Sequence, residues 1–186
     1  MQKILASSLL SAGLLSTGLL YSGSALAQPT TQSSQSNHIG RHDSNPADIA
    51  AINQVTQDFR AALISKNIKQ LSSLMLNSNI LFSSPGSASF VKKINDSTDV
   101  NFDGIRSGGY PAFADFVANS ADAIEEKFYN IKITQDGHVG WVMFDFEFLS
   151  NKKVENYGVE TWQLLKAADG KWKIFSVVWS SHGAPK

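Results

Sequence analysis

The sequence predicts an α+β domain in which a curved antiparallel sheet wraps around helices. Three helical patterns occupy the first half of the chain, and β-rich segments of alternating polarity occupy the second half. The chain closes on two aromatic-rich segments, 158–166 and 171–180, with Asp169-Gly170 at the junction between them. Asp-Gly between two β-rich segments is a strong hairpin signal. A curved sheet with helices on one face normally holds a pocket.

Residues 1–27 have the composition of a secretory signal peptide. Lys3 forms a thin positive region, residues 4–21 are apolar with Ser and Gly admixed, and Ala25-Leu-Ala27 fits the small-x-small rule for cleavage after Ala27. A retained membrane anchor is the competing interpretation, which the Ser and Gly content weakens. We expect a bacterial protein of the periplasm or the medium, without a membrane contact after cleavage.

The absence of cysteine and the balanced charge exclude two classes of function. Without cysteine, thiol chemistry is excluded and stability has to come from a hydrophobic core. The chain has 16 basic and 16 acidic side chains, so removal of Lys3 with the signal leaves 15 and 16, a net charge of −1. No basic run stands out, and we expect no nucleic-acid partner. Residues 28–45 predict a disordered polar linker, followed by one domain, 46–183.

The first half of the domain predicts two helices in succession. Asn45 caps the first helix and Pro46 fits its first position. Apolar residues then recur at helical spacing: Ile49, Ile52, Val55, Phe59 and Leu63. A shorter helix spans 68–76, with its apolar residues facing inward.

Two strands and a third helix are predicted next. Residues 79–84 predict a strand that Pro85 ends, and residues 89–94 predict its partner strand. After a polar loop, Pro111 opens the third helix. Its apolar face carries Phe113, Phe116 and Val117.

The rest of the chain predicts sheet. Residues 126–134 form a strand with a register slip near Tyr129, and Asp136-Gly137 turns the chain into a strand over 139–149. One face of that second strand carries Val142, Phe144, Phe146 and Phe148, and the other carries Trp141, Met143, Asp145 and Glu147. With the closing hairpin, the order is helix, helix, two strands, helix and four strands.

This order of elements, with Asp169-Gly-Lys-Trp-Lys-Ile174 and Val177-Val-Trp-Ser180 at its end, resembles the nuclear transport factor 2-like superfamily, in particular its SnoaL-like and DUF4440-like bacterial branches. The resemblance covers about Pro46 to His182. It implies a cone-shaped half-barrel of sheet closed by three helices of the N-terminal half, and a homodimer formed through the sheet. Because the superfamily includes ketosteroid isomerases, dehydratases, polyketide cyclases and binding proteins, the fold does not determine the function.

The isomerase branch places a general-base Asp just before a Pro at the end of the first strand, and the matching residues here are Ser84-Pro85. A serine without an adjacent base cannot hold a proton abstracted from carbon near neutral pH. We therefore expect no steroid-isomerase chemistry. Ser84 is instead a candidate rim residue or hydrogen-bond donor to a ligand.

Asp145 and His182 are the candidate acid or base residues. Asp145 shares a strand face with Glu147 and with two apolar residues, Trp141 and Met143. If that face lines the cavity, a carboxylate among aromatics has a raised pKa and serves as acid or base. If it is the outer or dimer-facing surface, both carboxylates are ordinary solvated or paired charges. His182 closes the last strand and is a potential partner of Asp145.

Residues 99–104 match the first half of a calcium-binding loop, Asp-x-Asn-x-Asp-Gly. Such a loop requires a bidentate carboxylate at its twelfth position, where Tyr110 stands. The alternative is a surface turn, which the family resemblance favours because related chains carry a Gly-rich loop here. We expect neither a metal nor a cofactor.

Aromatic residues from separate elements indicate what the cavity binds. The candidate ligand-binding residues are Phe59, Phe82, Ser84, Phe113, Trp162 and Trp179. Since a cone fold lines its cavity with such residues, we expect an exported protein that binds a small, mostly apolar or aromatic molecule. The alternatives are a SnoaL-like cyclase, isomerase or dehydratase that uses Asp145 or His182, and a module whose sheet docks a partner protein.

Overall fold

Residues 45–184 are described by a computed structural model, and they contain four helices and seven strands. The helices are α1 (Pro46–Ile64), α2 (Ile68–Leu74), α3 (Ala88–Ser97) and α4 (Tyr110–Asn119). The strands are β1 (Leu81–Pro85), β2 (Ile105–Gly109), β3 (Ile124–Gln135), β4 (Val139–Ser150), β5 (Lys153–Lys166), β6 (Trp172–Trp179) and β7 (His182–Gly183). The predicted signal peptide and nearly all of the predicted linker lie outside the described residues. None of the four helices has the length and apolar character needed to cross a membrane.

All seven strands belong to one open sheet, which confirms the predicted α+β class. The strand order is β2-β1-β6-β5-β4-β3, and β7 pairs with β5. The closing hairpin is confirmed, because β5 and β6 are antiparallel and Gly170 in the connecting turn has a φ of +80°. Every pairing is antiparallel except that between β1 and β6, which is parallel. The predicted meander did not include this parallel contact, which joins the first strand to the last long one.

The prediction of a strand over 89–94 is wrong, because these residues belong to the helix α3. Ser87 caps this helix by accepting a hydrogen bond from the Phe90 backbone N–H at 3.2 Å. Phe90, Val91 and Ile94 have the spacing of one helical face, which fits a helix better than strand alternation. The antiparallel partner of β1 is β2, and the domain has four helices where three were predicted.

The strands β3 and β4 fix the two faces of the sheet. The predicted slip is confirmed, since the register shifts between Tyr129 and Lys132 and Asn130 has a φ of +53°. On β4, one face is buried at Val142, Phe144 and Phe146, and the other is exposed at Trp141, Met143 and Asp145. The buried face is the inner face of the sheet, and the exposed face is its outer face.

The helix α1 contacts the β5–β6 hairpin at its turn and farther along β5. Near its start, buried Asp48 accepts hydrogen bonds from Lys166 Nζ at 2.7 Å and from Trp172 Nε1 at 3.0 Å. Farther along α1, the ring of Phe59 lies 4.9 Å from the ring of Trp162. These contacts hold α1 against the inner face and leave a cavity between the helices and the sheet.

Candidate functional site

A cavity of about 420 Å³ lies between the inner face of the sheet, α1 and α4. Its walls are mainly aromatic: Phe59, Phe82, Phe113, Phe116, Phe146, Phe148 and Trp179. Of the predicted ligand-binding residues, Phe59, Phe82, Ser84, Phe113 and Trp179 line the cavity. Trp162 is fully buried behind the wall, against Phe59. The volume is in the range of cavities that hold small organic molecules.

Two buried glutamates, which the sequence analysis did not single out, also line the cavity. Glu126 on β3 is 6% exposed and Glu160 on β5 is 4% exposed. The two carboxyl groups lie close enough for each to change the pKa of the other. Trp162 Nε1 donates a hydrogen bond to Glu160 Oε1. Trp162 does not line the cavity itself, but this bond holds a carboxyl group that does. A pair of acids therefore lies in a mostly aromatic wall.

Burial raises the pKa of both carboxyl groups. Desolvation raises the pKa of Glu126 well above its ordinary value, the neighbouring Glu160 carboxylate raises it further, and the charge of Arg60 partly opposes this rise. Burial also raises the pKa of Glu160, to about 7. The interactions of its carboxyl group with Trp162 and Glu126 lower the pKa and partly oppose this rise. The pair therefore keeps a proton near neutral pH and can both donate and accept one.

The glutamate carboxyl groups have no cationic partner within the described part of the chain, where every ion pair involves other residues. Arg60 on α1 is close, but its Nε donates to the backbone carbonyl of Glu126 at 2.9 Å. Arg106 on β2 lines the cavity and is exposed, with its guanidinium 5.2 Å from the centre of the Phe90 ring. Buried carboxylates are ordinarily paired or hydrogen-bonded to cations.

Ser84 lines the same cavity from the end of β1. It is 1% exposed, and among the described residues its hydroxyl has no hydrogen-bond partner. An unsatisfied buried hydroxyl costs about 1–3 kcal/mol, so a ligand atom that bonds to it recovers this free energy. Ser84, which stands where the isomerase branch has its general-base Asp, thus presents to the cavity a hydroxyl without a hydrogen-bond partner in residues 45–184.

Asp145 and His182 lie outside the cavity. Asp145 is exposed on the outer face, where its carboxylate accepts a hydrogen bond from Asn130 Nδ2 at 2.6 Å. Its neighbour Glu147 accepts one from the Tyr129 hydroxyl at 2.8 Å. His182 is exposed on β7, where its ring centre lies 5.4 Å from that of the Tyr157 ring, with the two planes tilted by 36°. Neither residue faces the aromatic wall, and the solvated-charge alternative describes Asp145.

The loop over 99–104 has the geometry of a surface turn. Asp99 and Asp103 each accept a hydrogen bond from a backbone N–H two residues later, at 2.9 and 2.8 Å. Tyr110, at the position where calcium needs a carboxylate, is buried and its hydroxyl lies 2.6 Å from Ser72 Oγ. Across residues 45–184, no group of three or more His, Asp or Glu side chains is arranged to hold a metal ion.

A strand pattern could have identified the two glutamates. Glu160 precedes the buried Trp162 by two residues, and Glu126 precedes Phe128 by two, so each shares the inward face of its strand. The predicted strands began at 126 and 158, which placed both residues at strand ends. The structure begins β3 at Ile124 and β5 at Lys153.

No family model matches the sequence, and no curated protein matches it significantly. The fold is similar to several solved structures. A proposed dehydratase of the nuclear transport factor 2-like family from Streptomyces avermitilis matches with a TM-score of 0.54 and 19% identity, over 76% of this chain and 100% of that chain. A proposed scytalone dehydratase from Novosphingobium aromaticivorans matches with a TM-score of 0.55 and 15% identity, over 76% of this chain and 88% of that chain. A nuclear transport factor 2-like protein of unknown function from Pseudomonas putida matches with a TM-score of 0.55 and 11% identity, over 73% of this chain and 87% of that chain.

Identities this low establish a common architecture and leave the chemistry of the cavity open. The matched part of the chain nevertheless spans nearly all of these comparison proteins. The architecture is also the one that the order of helices and strands resembled. This chain therefore has the nuclear transport factor 2-like fold.

Proposed function

We propose that this protein binds a small, mostly apolar or aromatic molecule in the cavity between its helices and its sheet. The observation that carries this proposal is the cavity of about 420 Å³ with a wall of phenylalanine and tryptophan rings. Burial of an apolar ligand against such a wall contributes about 25 cal/mol per Å² of apolar surface removed from water. A few polar groups in the wall, among them Ser84, would orient the ligand.

Native mass spectrometry of protein purified from its own host tests this proposal. The expected result is a small molecule retained at one per chain. The variant Ala112→Trp puts a large side chain into the cavity wall and should abolish retention. Ala118→Trp, on the same helix but outside the cavity lining, is the matched control and should retain the molecule. Ligand-free wild-type protein across preparations would count against binding.

A second candidate is an acid–base enzyme, which the carboxyl pair favours. Glu126 and Glu160 replace Asp145 and His182 as the candidate acid and base, because the pair lines the cavity. A pKa of about 7 for Glu160 lies where a general base is most effective at neutral pH. Two of the similar structures carry the name of a proposed dehydratase, an activity that includes proton transfer.

The probe 5-nitrobenzisoxazole tests this second candidate. A base removes its C–H proton, the ring N–O bond breaks, and a nitrile and a coloured phenolate form. At pH 8 the wild type should exceed Glu160→Gln by about 10²-fold in rate, the lower end of general-base effects. Asp145→Asn on the outer face should leave the rate unchanged. Equal rates for wild type and Glu160→Gln would reject Glu160 as the base.

We also propose a homodimer that forms through the outer face of the sheet. The exposed apolar residues on this face support it: Tyr129, Trp141, Met143 and Val159. Isolated exposed apolar residues are common, but a contiguous group marks an interaction surface. A partner protein docked on the same face is the alternative.

Light scattering after size exclusion measures the mass of the particle. We expect a dimer for the wild type and a monomer for Met143→Glu, because a charge in an apolar interface costs free energy. Ala51→Glu, exposed on α1, is the control and should remain dimeric. A monomeric wild type would remove the dimer and favour the docking of a partner.

Export is proposed from residues 1–27 of the sequence. The mass of the protein recovered from the periplasm or the medium should correspond to a chain that begins at Gln28. A cytoplasmic protein that retains Met1–Ala27 would contradict export.

A further inference from the structure

The acid pair in the cavity wall raises the question of what compensates its charge. Glu126 and Glu160 are both more than nine-tenths buried, line the same cavity, and have no ion-pair partner among residues 45–184. When one of them ionises, its negative charge lies in a wall of aromatic rings. A buried charge without a partner is costly, and a cation brought by a ligand would remove that cost.

Ser84 gives a second, independent indication of a polar ligand group. Its hydroxyl is buried, lines the same cavity and lacks a partner among the described residues. A protonated amine carries up to three N–H donors. The carboxyl groups of Glu126 and Glu160 and the hydroxyl of Ser84 provide an acceptor for each of them. The charge of an ammonium group is compact, whereas a guanidinium spreads its charge over a larger planar group.

The aromatic wall fits the rest of such a ligand. Rings such as those of Phe82, Phe146 and Trp179 contact the apolar body of a ligand and attract a cation through their electron-rich faces. Arg106, the lining residue with a positive charge, is exposed and held over Phe90. Of the charged residues that line the cavity, the buried ones, Glu126 and Glu160, are therefore both acidic.

We propose that the cavity binds a small aromatic or apolar amine, with the protonated nitrogen held by Glu126 and Glu160 and contacted by Ser84. This inference rests on the proposed binding function and specifies the chemical class of its ligand. A neutral ligand leaves the charge of the pair uncompensated. An anionic ligand is repelled by it.

Calorimetric titration of the full chain at neutral pH with three probes of one shape tests this inference. Tryptamine carries an ammonium group, tryptophol a neutral hydroxyl and indole-3-acetate a carboxylate on the same ring system. Tryptamine should bind at least about tenfold more tightly than tryptophol, since hydrogen bonds to charged groups contribute about 1.5–3 kcal/mol. Indole-3-acetate should bind most weakly.

Variants locate the effect within the cavity. Glu126→Gln and Glu160→Gln should each weaken tryptamine binding about tenfold and change tryptophol binding little. Glu155→Gln removes an exposed carboxylate from β5 and is the matched control for both probes. Ser84→Ala should weaken tryptamine binding several-fold.

The wild-type comparison alone decides the inference if a variant fails to fold. Tryptamine and tryptophol binding with equal affinity would overturn the amine proposal and leave the binding of apolar molecules intact. Tighter binding of indole-3-acetate would also overturn it. No binding of any probe would count against both the amine proposal and the proposed function.

Discussion

The buried carboxyl group of Glu160 should make the folded protein less stable as pH rises. Its pKa is about 7 in the folded protein against an ordinary value of 4.5. Between these two values the folded state binds more protons than the unfolded state, so the free energy of unfolding falls with increasing pH. Each pKa unit corresponds to about 1.4 kcal/mol, and the full loss is therefore about 3 kcal/mol. The loss begins near pH 4.5 and is complete above pH 7.

The variant Glu160→Gln isolates this contribution. Glutamine keeps the shape of the side chain and an acceptor for Trp162 Nε1, but it does not ionise. The free energy of unfolding of the variant minus that of the wild type should therefore rise by about 3 kcal/mol between pH 4.5 and pH 8. Groups distant from Glu160 titrate alike in both proteins and cancel in this difference. Glu126 does not cancel: without the Glu160 charge its pKa is raised less, which adds to the expected rise in the same direction.

Urea unfolding followed by tryptophan fluorescence supplies the measurement at each pH. Glu155→Gln, which removes an exposed carboxylate from the same strand, is the control, and its profile should parallel that of the wild type because water solvates this group in both states. If the profile of Glu160→Gln also parallels the wild type, the carboxyl group of Glu160 does not titrate in a buried environment. Such a result would mean that Glu160 and Glu126 do not form a buried acid pair.

Two further substitutions test the packing that forms the cavity. Asp48→Ala should lower the free energy of unfolding by about 3 kcal/mol, because it removes charge-assisted bonds to Lys166 and leaves the indole N–H of Trp172 buried without an acceptor. Gly158→Ala should destabilise by at least about 2 kcal/mol, since a Cβ at this position overlaps the backbone carbonyl of Ser180. Thermal or urea unfolding measures both.

Each of these substitutions has a matched control. Asp96→Ala breaks an exposed ion pair with Lys92 and should change stability far less than Asp48→Ala. Gly108→Ala places a Cβ at 3.6 Å from the nearest backbone oxygen, an ordinary contact, and should be tolerated better than Gly158→Ala. Equal losses within either pair would contradict the assigned contacts.

Much of the fold follows from local patterns in the sequence. The apolar spacing of α1, the alternation along β4 and the Asp169-Gly170 turn each predict an element that the structure contains. The strand predicted over 89–94 failed because six residues contain too little pattern to separate a short helix from a strand. The helix cap at Ser87 was the signal that distinguishes the two.

The candidate site was predicted in part. The aromatic wall follows from core residues that any cone-shaped domain must place around its interior, so most of the aromatic residues chosen from the sequence line the cavity. Asp145 was chosen because it lies on a strand among aromatics. A strand has two faces, and packing assigned Asp145 to the outer one.

Local spacing and turn chemistry encode the class of fold, the closing hairpin and the apolar character of the interior, so these features could be predicted from the sequence. The sharing of one cavity by Glu126, Glu160 and Ser84 became visible in the three-dimensional packing. These residues lie on separate strands, and their proximity depends on the pairing of β3, β4 and β5 and on the parallel contact between β1 and β6. Such pairings join residues far apart in the chain, and a local pattern carries no record of them.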